Sequence, residues 1–115
     1  MRTLAPDPLL PVLPEEGCEP APPISVRPGL VRQLKALGDE TRLQLLGQIA
    51  GQESICVCNL TAGATVGQPT VSHHLKVLRD AGIVDCVRRG TWAYYFLQPD
   101  LPPVVRAAIA ELTGR

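Results

Sequence analysis

The sequence lacks the features of a membrane protein, a secreted protein or a generally basic protein. No apolar run approaches the ~18–20 residues of a membrane span, and Asp7 with four prolines by residue 14 interrupts the N-terminal apolar residues, which argues against a secretory signal. The 11 Lys+Arg balance 11 Asp+Glu, so no protein-wide basic field attracts nucleic acid. We therefore expect a soluble, cytoplasmic protein without membrane contact, in which any nucleic-acid site is local.

Cysteine, histidine and aromatic residues are few. The 115 residues include four Cys, two His and four aromatic residues, and no pair of cysteines has the Cys-x-x-Cys spacing of a zinc ribbon. No glycine-rich phosphate loop and no Cys-His or Cys-Asp arrangement accompanies the cysteines, so a small thiol enzyme or metalloid carrier is disfavoured. In a reducing compartment we expect thiols rather than disulfides.

Proline is concentrated at the N-terminus. Eight of the 12 prolines lie in residues 1–28, together with four acidic residues and two arginines. Because proline suits neither helix interiors nor sheet ladders, we predict a flexible arm over residues 1–28 and one folded domain over residues 29–115. A domain of this size buries only about 60–65% of its unfolded surface, so dimerisation would add to a thin core.

Apolar periodicity predicts two helices at the start of the folded part. The first ends at Gly38, and Asp39 caps the second, which ends at Gly51. Residues 54–60 are ambiguous, because their β-branched residues favour a strand while a serine at their start could cap a helix. A turn over residues 61–67 follows.

The second half predicts a helix, a hairpin and a last helix. Pro69 lies in the first turn of the helix. Two β-rich runs flank a tight turn at Arg89 and Gly90, and the aromatic residues, all between positions 92 and 96, are expected to pack this hairpin against the helices. Asp100 is expected to cap the last helix. This order predicts a mainly α protein with a β-hairpin wing, a winged helix-turn-helix.

In such a fold the helix after the turn enters the major groove and the hairpin touches the flanking backbone. A solvated polar face is the alternative for this helix. Residues 67–98, however, carry four basic and two acidic residues, whereas residues 1–29 carry two basic and four acidic ones. The candidate contacts to double-stranded DNA are Gln68, Thr70, Ser72, His73, Lys76, Arg88 and Arg89.

The last helix is apolar over most of its surface, so it is better buried against a partner than exposed. We predict a homodimer through this helix and the first helix. The candidate interface residues are Leu30, Leu34, Leu101, Val105, Ile109 and Leu112.

Four ordered segments resemble the ArsR/SmtB family of metal-responsive repressors. They are Leu-Gly-Asp-Glu-Thr-Arg within residues 34–43, Ile-Cys-Val-Cys within 55–60, Thr-Val-Ser-His-His-Leu-Lys within 68–82 and Trp-Ala-Tyr-Tyr at 92–95. The resemblance spans about residues 30–98. It implies a homodimeric winged helix-turn-helix repressor that binds operator DNA when metal-free and leaves it when the inducer binds. It also implies that residues 54–60 are helical.

Cys56 and Cys58 resemble the Cys-Val-Cys of the family's As(III), Sb(III) and Cd(II)/Pb(II) sensors, which lies in the first helix of the helix-turn-helix. In a regular helix these positions point about 200° apart, so binding one ion would distort the helix. Soft thiolates select soft ions. Without the resemblance, the two residues would more often be small buried side chains.

Arsenic sensors of the family often have a third Cys where this chain has Thr61. Cys18 in the arm is the candidate third ligand, since the family's Cd(II)/Pb(II) branch uses an arm thiol, from the same or the other subunit. An incidental thiol is the alternative. Cys86 shares a strand face with Val84 and is interpreted as a core thiol. The last helix has no His, which does not fit the family's zinc and nickel sensors.

The leading hypothesis is therefore a repressor that As(III) or Sb(III) releases from operator DNA. A Cd(II)/Pb(II)-responsive repressor is the nearest alternative. A thiol-oxidation or persulfide switch at Cys56 and Cys58 is the third.

Overall fold

A computed structural model describes residues 17–114, which form a winged helix-turn-helix. The elements are α1 (Leu30–Leu37), α2 (Glu40–Ala50), β1 (Ile55–Cys56), α3 (Val57–Ala62), α4 (Gln68–Asp80), β2 (Val84–Arg89), β3 (Trp92–Leu97) and α5 (Pro103–Thr113). The hairpin of β2 and β3 is the wing, and β1 pairs with β3 to give an antiparallel sheet of order β1-β3-β2. The predicted fold class is confirmed, and α4 takes the position of the recognition helix.

Local signals set the bounds of the long helices as predicted. Gly38 follows α1 and ends it. Asp39 has an extended backbone, and its side-chain carboxylate accepts the N–H of Arg42 at 3.0 Å, which caps the start of α2. Gly51 ends α2. Pro69 lies in the first turn of α4, where the N–H that proline lacks has no partner within the helix.

The core is aliphatic and lies between the helices and one face of the sheet. Leu46 of α2, Leu60 of α3 and Leu75 of α4 are fully buried in it. Among the aromatic residues, Tyr95 packs against this core, whereas Trp92 is 49% exposed. The expectation that the aromatic residues pack the wing against the helices does not hold for Trp92, because its odd separation from Tyr95 places the two on opposite faces of the strand.

Residues 54–60 contain both a strand and a helix. Ile55 pairs with Tyr95 and Cys56 with Tyr94, so β1 extends the sheet, and α3 begins only at Val57. The expectation of one continuous helix is therefore wrong for the first part of this segment. Its physical cause is pairing with β3, which lies far along the chain, so the β-branched residues alone could not decide between strand and helix.

Two predicted boundaries differ from the structure. Arg89 pairs with Trp92, so the turn of the wing is formed by residues 90–91, and Gly90 has a φ of 65°, which favours glycine. The last helix begins at Pro103, with Pro102 at its N-cap, rather than from a cap at Asp100. A residue that precedes proline is disfavoured in the helical region, so two consecutive prolines delay the helix.

Residues 17–28 of the predicted arm form neither helix nor strand, and their side chains are exposed. The first 16 residues of the arm, like Arg115, lie outside the described residues. None of the helices between residues 17 and 114 is both long and apolar enough to cross a membrane.

Candidate nucleic-acid interface and cysteine site

The polar face of α4 points away from the core. The opposite face consists of Val71, Leu75 and Leu78, all fully buried. All the predicted contact residues of this helix are exposed, namely Gln68, Thr70, Ser72, His73 and Lys76. The helix therefore presents one polar surface of the size that a major groove admits.

Two surface ion pairs involve basic residues in the C-terminal half of α4. Lys76 Nζ lies 2.9 Å from Asp80 Oδ2, and Arg79 Nε lies 3.1 Å from Asp85 Oδ1. Exposed pairs of this kind contribute about 0–1 kcal/mol. Lys76 can therefore exchange its carboxylate for a phosphate at small cost.

The tip of the wing carries two exposed arginines, Arg88 and Arg89. The Arg89 guanidinium carbon lies 5.6 Å from the centre of the Tyr94 ring, within the range of a cation–π contact. Trp92, opposite Arg89 in the hairpin, is half exposed beside it. Sequence reasoning missed Trp92 and Tyr94 as parts of this surface, although strand alternation places both on the face of Arg89.

Arg42 connects the recognition helix to the α1–α2 junction. Its Nε donates to the carbonyl of Ala36 at 2.7 Å, and its Nη1 lies 3.1 Å from His74 Nδ1 on α4. A guanidinium only donates, so His74 Nδ1 is the acceptor and the ring proton belongs on Nε2. This positioning role was not predicted, since it depends on a contact between distant segments.

Asp85 joins α4 to the base of the wing. Its carboxylate accepts the N–H of Cys86 at 2.8 Å, Arg79 Nε at 3.1 Å and Gln98 Nε2 at 3.4 Å. The backbone N–H of Cys86, and then the charge of Arg79, lower the pKa of Asp85 against the opposing effect of its burial. The orientation of the wing relative to α4 thus depends on an ionised carboxylate.

Cys56 and Cys58 lie where β1 joins α3. Cys56 has an extended backbone with φ −67° and ψ 138°, and its Sγ caps α3 by accepting the N–H of Cys58 at 3.3 Å. Cys56 is 5% exposed and Cys58 is half-buried. The expected separation of about 200° on a regular helix is therefore wrong, because Cys56 precedes the first turn.

The side chains of Cys56 and Cys58 affect each other's ionisation. The neighbouring Cys58 side chain lowers the pKa of Cys56, and the backbone N–H groups of Cys58 and Asn59 lower it further while burial opposes them. The neighbouring Cys56 side chain and burial raise the pKa of Cys58, whose Sγ donates to Asn59 Oδ1 at 3.9 Å. Cys56 is therefore the first of the pair to ionise, and the pair offers two soft sulfur donors on one side of the α3 N-terminus.

Within the described part of one chain, no third ligand joins this pair. Between residues 17 and 114, no group of three or more His, Cys, Asp or Glu side chains is placed to share an ion, so Cys18 does not meet Cys56 and Cys58 there. Thr61 instead donates its hydroxyl to the carbonyl of Val57 at 2.9 Å. Cys86 is half-buried opposite Tyr95 and lies beside the core rather than within it.

The predicted dimer residues fall into three groups. Two of them, Leu34 and Leu112, are 48% and 39% exposed. Val31, which was not among the predicted residues, is 54% exposed as well. Val105 is fully buried within the protomer, so its assignment to the interface is wrong. The helical period identifies an apolar face but not the neighbour that covers it. The remaining three residues, Leu30, Leu101 and Ile109, are half-buried.

Comparison with known proteins identifies similar regulators. Residues 39–85 match the model of the bacterial regulatory protein, arsR family. An uncharacterised HTH-type transcriptional regulator of Methanocaldococcus jannaschii is 41% identical over 78 residues, which are 68% of this chain and 88% of that protein. An arsenic resistance transcriptional regulator of Pseudomonas putida, ArsR1, is 43% identical over 75 residues, which are 65% of this chain but only 59% of that protein.

Solved structures share the fold. Reduced HlyU from Vibrio cholerae has a TM-score of 0.63 and 30% identity over 73% of this chain and 84% of that chain. A homodimeric winged helix-turn-helix DNA-binding domain from Mycobacterium bovis, a possible ArsR-family transcriptional regulator, has a TM-score of 0.62 and 27% identity over 75% of this chain and 76% of that chain.

Proposed function

Because this chain belongs to the arsR family of bacterial regulatory proteins, we propose that it is a repressor that As(III) or Sb(III) releases from operator DNA. The family and the fold are those of DNA-binding transcriptional regulators, not of enzymes. The observation that carries the proposal is the Cys56–Cys58 thiol pair at the start of α3, the helix that precedes α4. The protein acts in the cytoplasm, where thiols stay reduced.

The DNA-binding half of the proposal assigns α4 to the major groove and the wing to the flanking backbone. Gln68 and Thr70 lie in the first turn of α4, from which side chains reach base edges, and Gln68 suits adenine. The other candidates, Ser72, His73, Lys76, Arg88 and Arg89, contact bases or phosphates. Their exposure supports the assignment.

The inducer half of the proposal assigns the metalloid to the two thiolates. As(III) and Sb(III) are soft ions, for which sulfur is the preferred donor. Ligation removes a proton from each thiol, so Cys58 can no longer donate its S–H to Asn59 Oδ1, and the bond from the Cys58 N–H to Cys56 Sγ rearranges. Inducer binding therefore changes the geometry at the N-terminus of α3.

The homodimer in the proposal forms through α1 and α5. The apolar side chains of Val31, Leu34 and Leu112 are exposed on these two helices, which pack against each other in the protomer. A homodimeric relative with the same fold supports this assignment. A dimer places two copies of α4 and two wings on one operator, the arrangement by which such proteins bind palindromic half-sites.

The proposal is tested with the full-length protein and a labelled fragment of the DNA upstream of its own coding sequence, followed by fluorescence anisotropy. Arsenite should weaken DNA binding by about 5–150-fold, the usual range of coupling between linked sites. Cys56→Ser and Cys58→Ser should bind the DNA like the parent but lose the arsenite effect.

Cys86→Ser is the matched control, because Cys86 pairs with Tyr95 and Cys56 with its neighbour Tyr94, on opposite faces of the sheet. This variant should respond to arsenite like the parent. A Cys56→Ser/Cys58→Ser double variant that still releases DNA at the parent's arsenite concentration contradicts the proposed inducer site.

We assign the third ligand to Cys18 of the partner subunit. The arm is exposed over residues 17–28, and an extended chain spans about 3 Å per residue, which is enough to cross a dimer interface. Cys18→Ser should then weaken arsenite binding strongly without changing DNA affinity. An unchanged arsenite affinity would instead identify a site of two protein thiolates completed by a small thiol from solution.

Thr61 favours a second candidate inducer, Cd(II) or Pb(II). The resemblance associates a third cysteine at this position with arsenic sensors and an arm thiol with cadmium and lead sensors, and Thr61 is a hydroxyl already bonded to a backbone carbonyl. Release of the DNA fragment by cadmium at lower concentrations than arsenite would select this candidate. Release by an oxidant or a persulfide donor alone would identify a thiol-redox switch.

A further inference from the structure

The strand β1 places the cysteine site beside the wing. Cys56 pairs with Tyr94 in the sheet, and residues that lie directly opposite each other have Cβ atoms about 4.5–5.5 Å apart on the same face. Across the sheet, Tyr94 also pairs with Val87 of β2. One row of side chains therefore runs from the buried thiol of Cys56 to the outer strand of the wing.

The same tyrosine holds the arginine at the wing tip. The Arg89 guanidinium carbon lies 5.6 Å from the centre of the Tyr94 ring, and the two residues are diagonal neighbours in the hairpin. Tyr94 is half-buried. It thus lies directly opposite Cys56 in the sheet, and its ring is within cation–π range of Arg89, a predicted phosphate contact.

We propose that Tyr94 is a positioning residue that couples occupation of the cysteine site to the wing, so that inducer binding withdraws Arg89 from the DNA backbone. This inference rests on the proposed function and specifies how the same site is regulated. It adds a path through the sheet to the direct packing of α3 against α4.

The geometry of Cys56 explains why this path responds to a ligand. Cys56 belongs to a strand of only two residues and also caps α3 through its Sγ. A thiolate drawn into an ion's coordination sphere leaves the position that satisfies the cap, and only two residue pairs hold β1 to β3. The displacement therefore falls on Tyr94, its neighbour in the sheet, and moves the ring on which Arg89 rests.

The test compares Tyr94→Leu, which removes the ring, with Tyr94→Phe, which keeps it. Three quantities are measured on the full-length protein: thiolate absorbance in the near ultraviolet on adding arsenite, affinity for the upstream DNA fragment, and the factor by which arsenite lowers that affinity. Tyr94→Phe should match the parent in all three.

Tyr94→Leu should bind arsenite with unchanged absorbance, because both thiols are intact. Its DNA affinity without arsenite should fall as in Arg89→Ala, and the Arg89→Ala/Tyr94→Leu double variant should be no weaker than either single variant, since the residues act through one contact. The arsenite effect should shrink from about 5–150-fold to a small fraction of the parent's factor.

Arg89→Ala tests the same link without altering the ring or the sheet, so the inference stays testable if Tyr94→Leu does not fold. It too should show a smaller arsenite factor than the parent. If both variants bind arsenite and arsenite lowers their DNA affinity by the same factor as in the parent, the path through the wing is overturned. The effect of the inducer on DNA binding is then assigned to α3 and α4 alone. An absence of arsenite absorbance in the parent overturns the proposed inducer site and this inference together.

Discussion

Asp39 determines where α2 begins and, through Arg42, how α4 is held. Its carboxylate accepts the Arg42 N–H at 3.0 Å, and the Arg42 side chain reaches the Ala36 carbonyl and His74. The capping bond from the Arg42 N–H, followed by the charge of Arg42, lowers the pKa of Asp39 below its ordinary value of 3.8, although partial burial opposes the shift. One cap residue thus contributes to the orientation of the recognition helix.

Replacing Asp39 with alanine should lower the melting temperature at neutral pH, since the first turn of α2 loses its acceptor. A carboxyl whose folded pKa is lowered stabilises the protein above its ordinary pKa and loses that effect as the pH falls through the folded value. The difference in melting temperature between the parent and Asp39→Ala, measured by circular dichroism, should therefore narrow below about pH 3.8.

Asp39→Asn is the control, because asparagine caps helices as well as aspartate but does not titrate. The melting temperature of Asp39→Asn should be close to that of the parent at neutral pH. In acid it should exceed that of the parent, because asparagine keeps its capping bond while the carboxylate is protonated. A gap between the parent and Asp39→Ala that is equal at neutral and acid pH would show that the carboxylate charge has no part in the cap.

The recognition helix and the wing carry different side chains for the proposed contacts with DNA. The wing carries charge at Arg88 and Arg89, which suits phosphates that are alike in every sequence, whereas the first turn of α4 carries Gln68 and Thr70, which suit base edges. Affinity and specificity should therefore be separable by element.

Arg89→Ala should weaken binding to specific and random DNA by a similar factor and reduce the slope of log affinity against log salt concentration by about 1 for each lost contact. Gln68→Ala should cost about 1–3 kcal/mol of discrimination and leave the salt slope unchanged. Anisotropy titrations at several salt concentrations measure both effects. If Arg89→Ala and Gln68→Ala lower the affinities for specific and random DNA in the same proportions, the assignment of groove and backbone contacts is wrong.

The elements that local chemistry dictates were predictable, and those that depend on distant partners were not. Asp39 and Gly51 bound α2 because capping acts within one turn. The short strand at Cys56 depends on pairing with Tyr94 far along the chain, and the β-branched residues near Cys56 left strand and helix undecided. The exposed polar face of α4 followed from helical periodicity, but the contact between Arg42 and His74 required the tertiary structure.

For the molecule as a whole, the core of the protomer and the proposed dimer surface meet on α5. Val105 is fully buried and belongs to the core, while Leu112 on the same helix is 39% exposed. Apolar periodicity predicted both as interface residues. The pattern identifies side chains that need to be buried, but it does not indicate whether the same chain or a partner buries them. The exposed apolar side chains of α1 extend the proposed dimer surface.

Leu34→Glu and Val105→Glu should therefore fail in different ways. A glutamate at exposed position 34 should dissociate the dimer while the helix content persists, whereas a buried charge at position 105 should cost several kcal/mol, which is about the whole stability of a small domain. Sedimentation velocity and far-ultraviolet circular dichroism distinguish the two outcomes. A Leu34→Glu protein that sediments as a stable dimer would move the interface away from α1.

Neither cysteine of the pair belongs to the aliphatic cluster that holds the helices together, although Cys56 is 5% exposed and caps α3. The proposed inducer site is therefore separate from the side chains that fix the positions of the DNA-binding helices. Variants that carry other donor residues at the half-buried position 58 are a practical starting library for whole-cell biosensors.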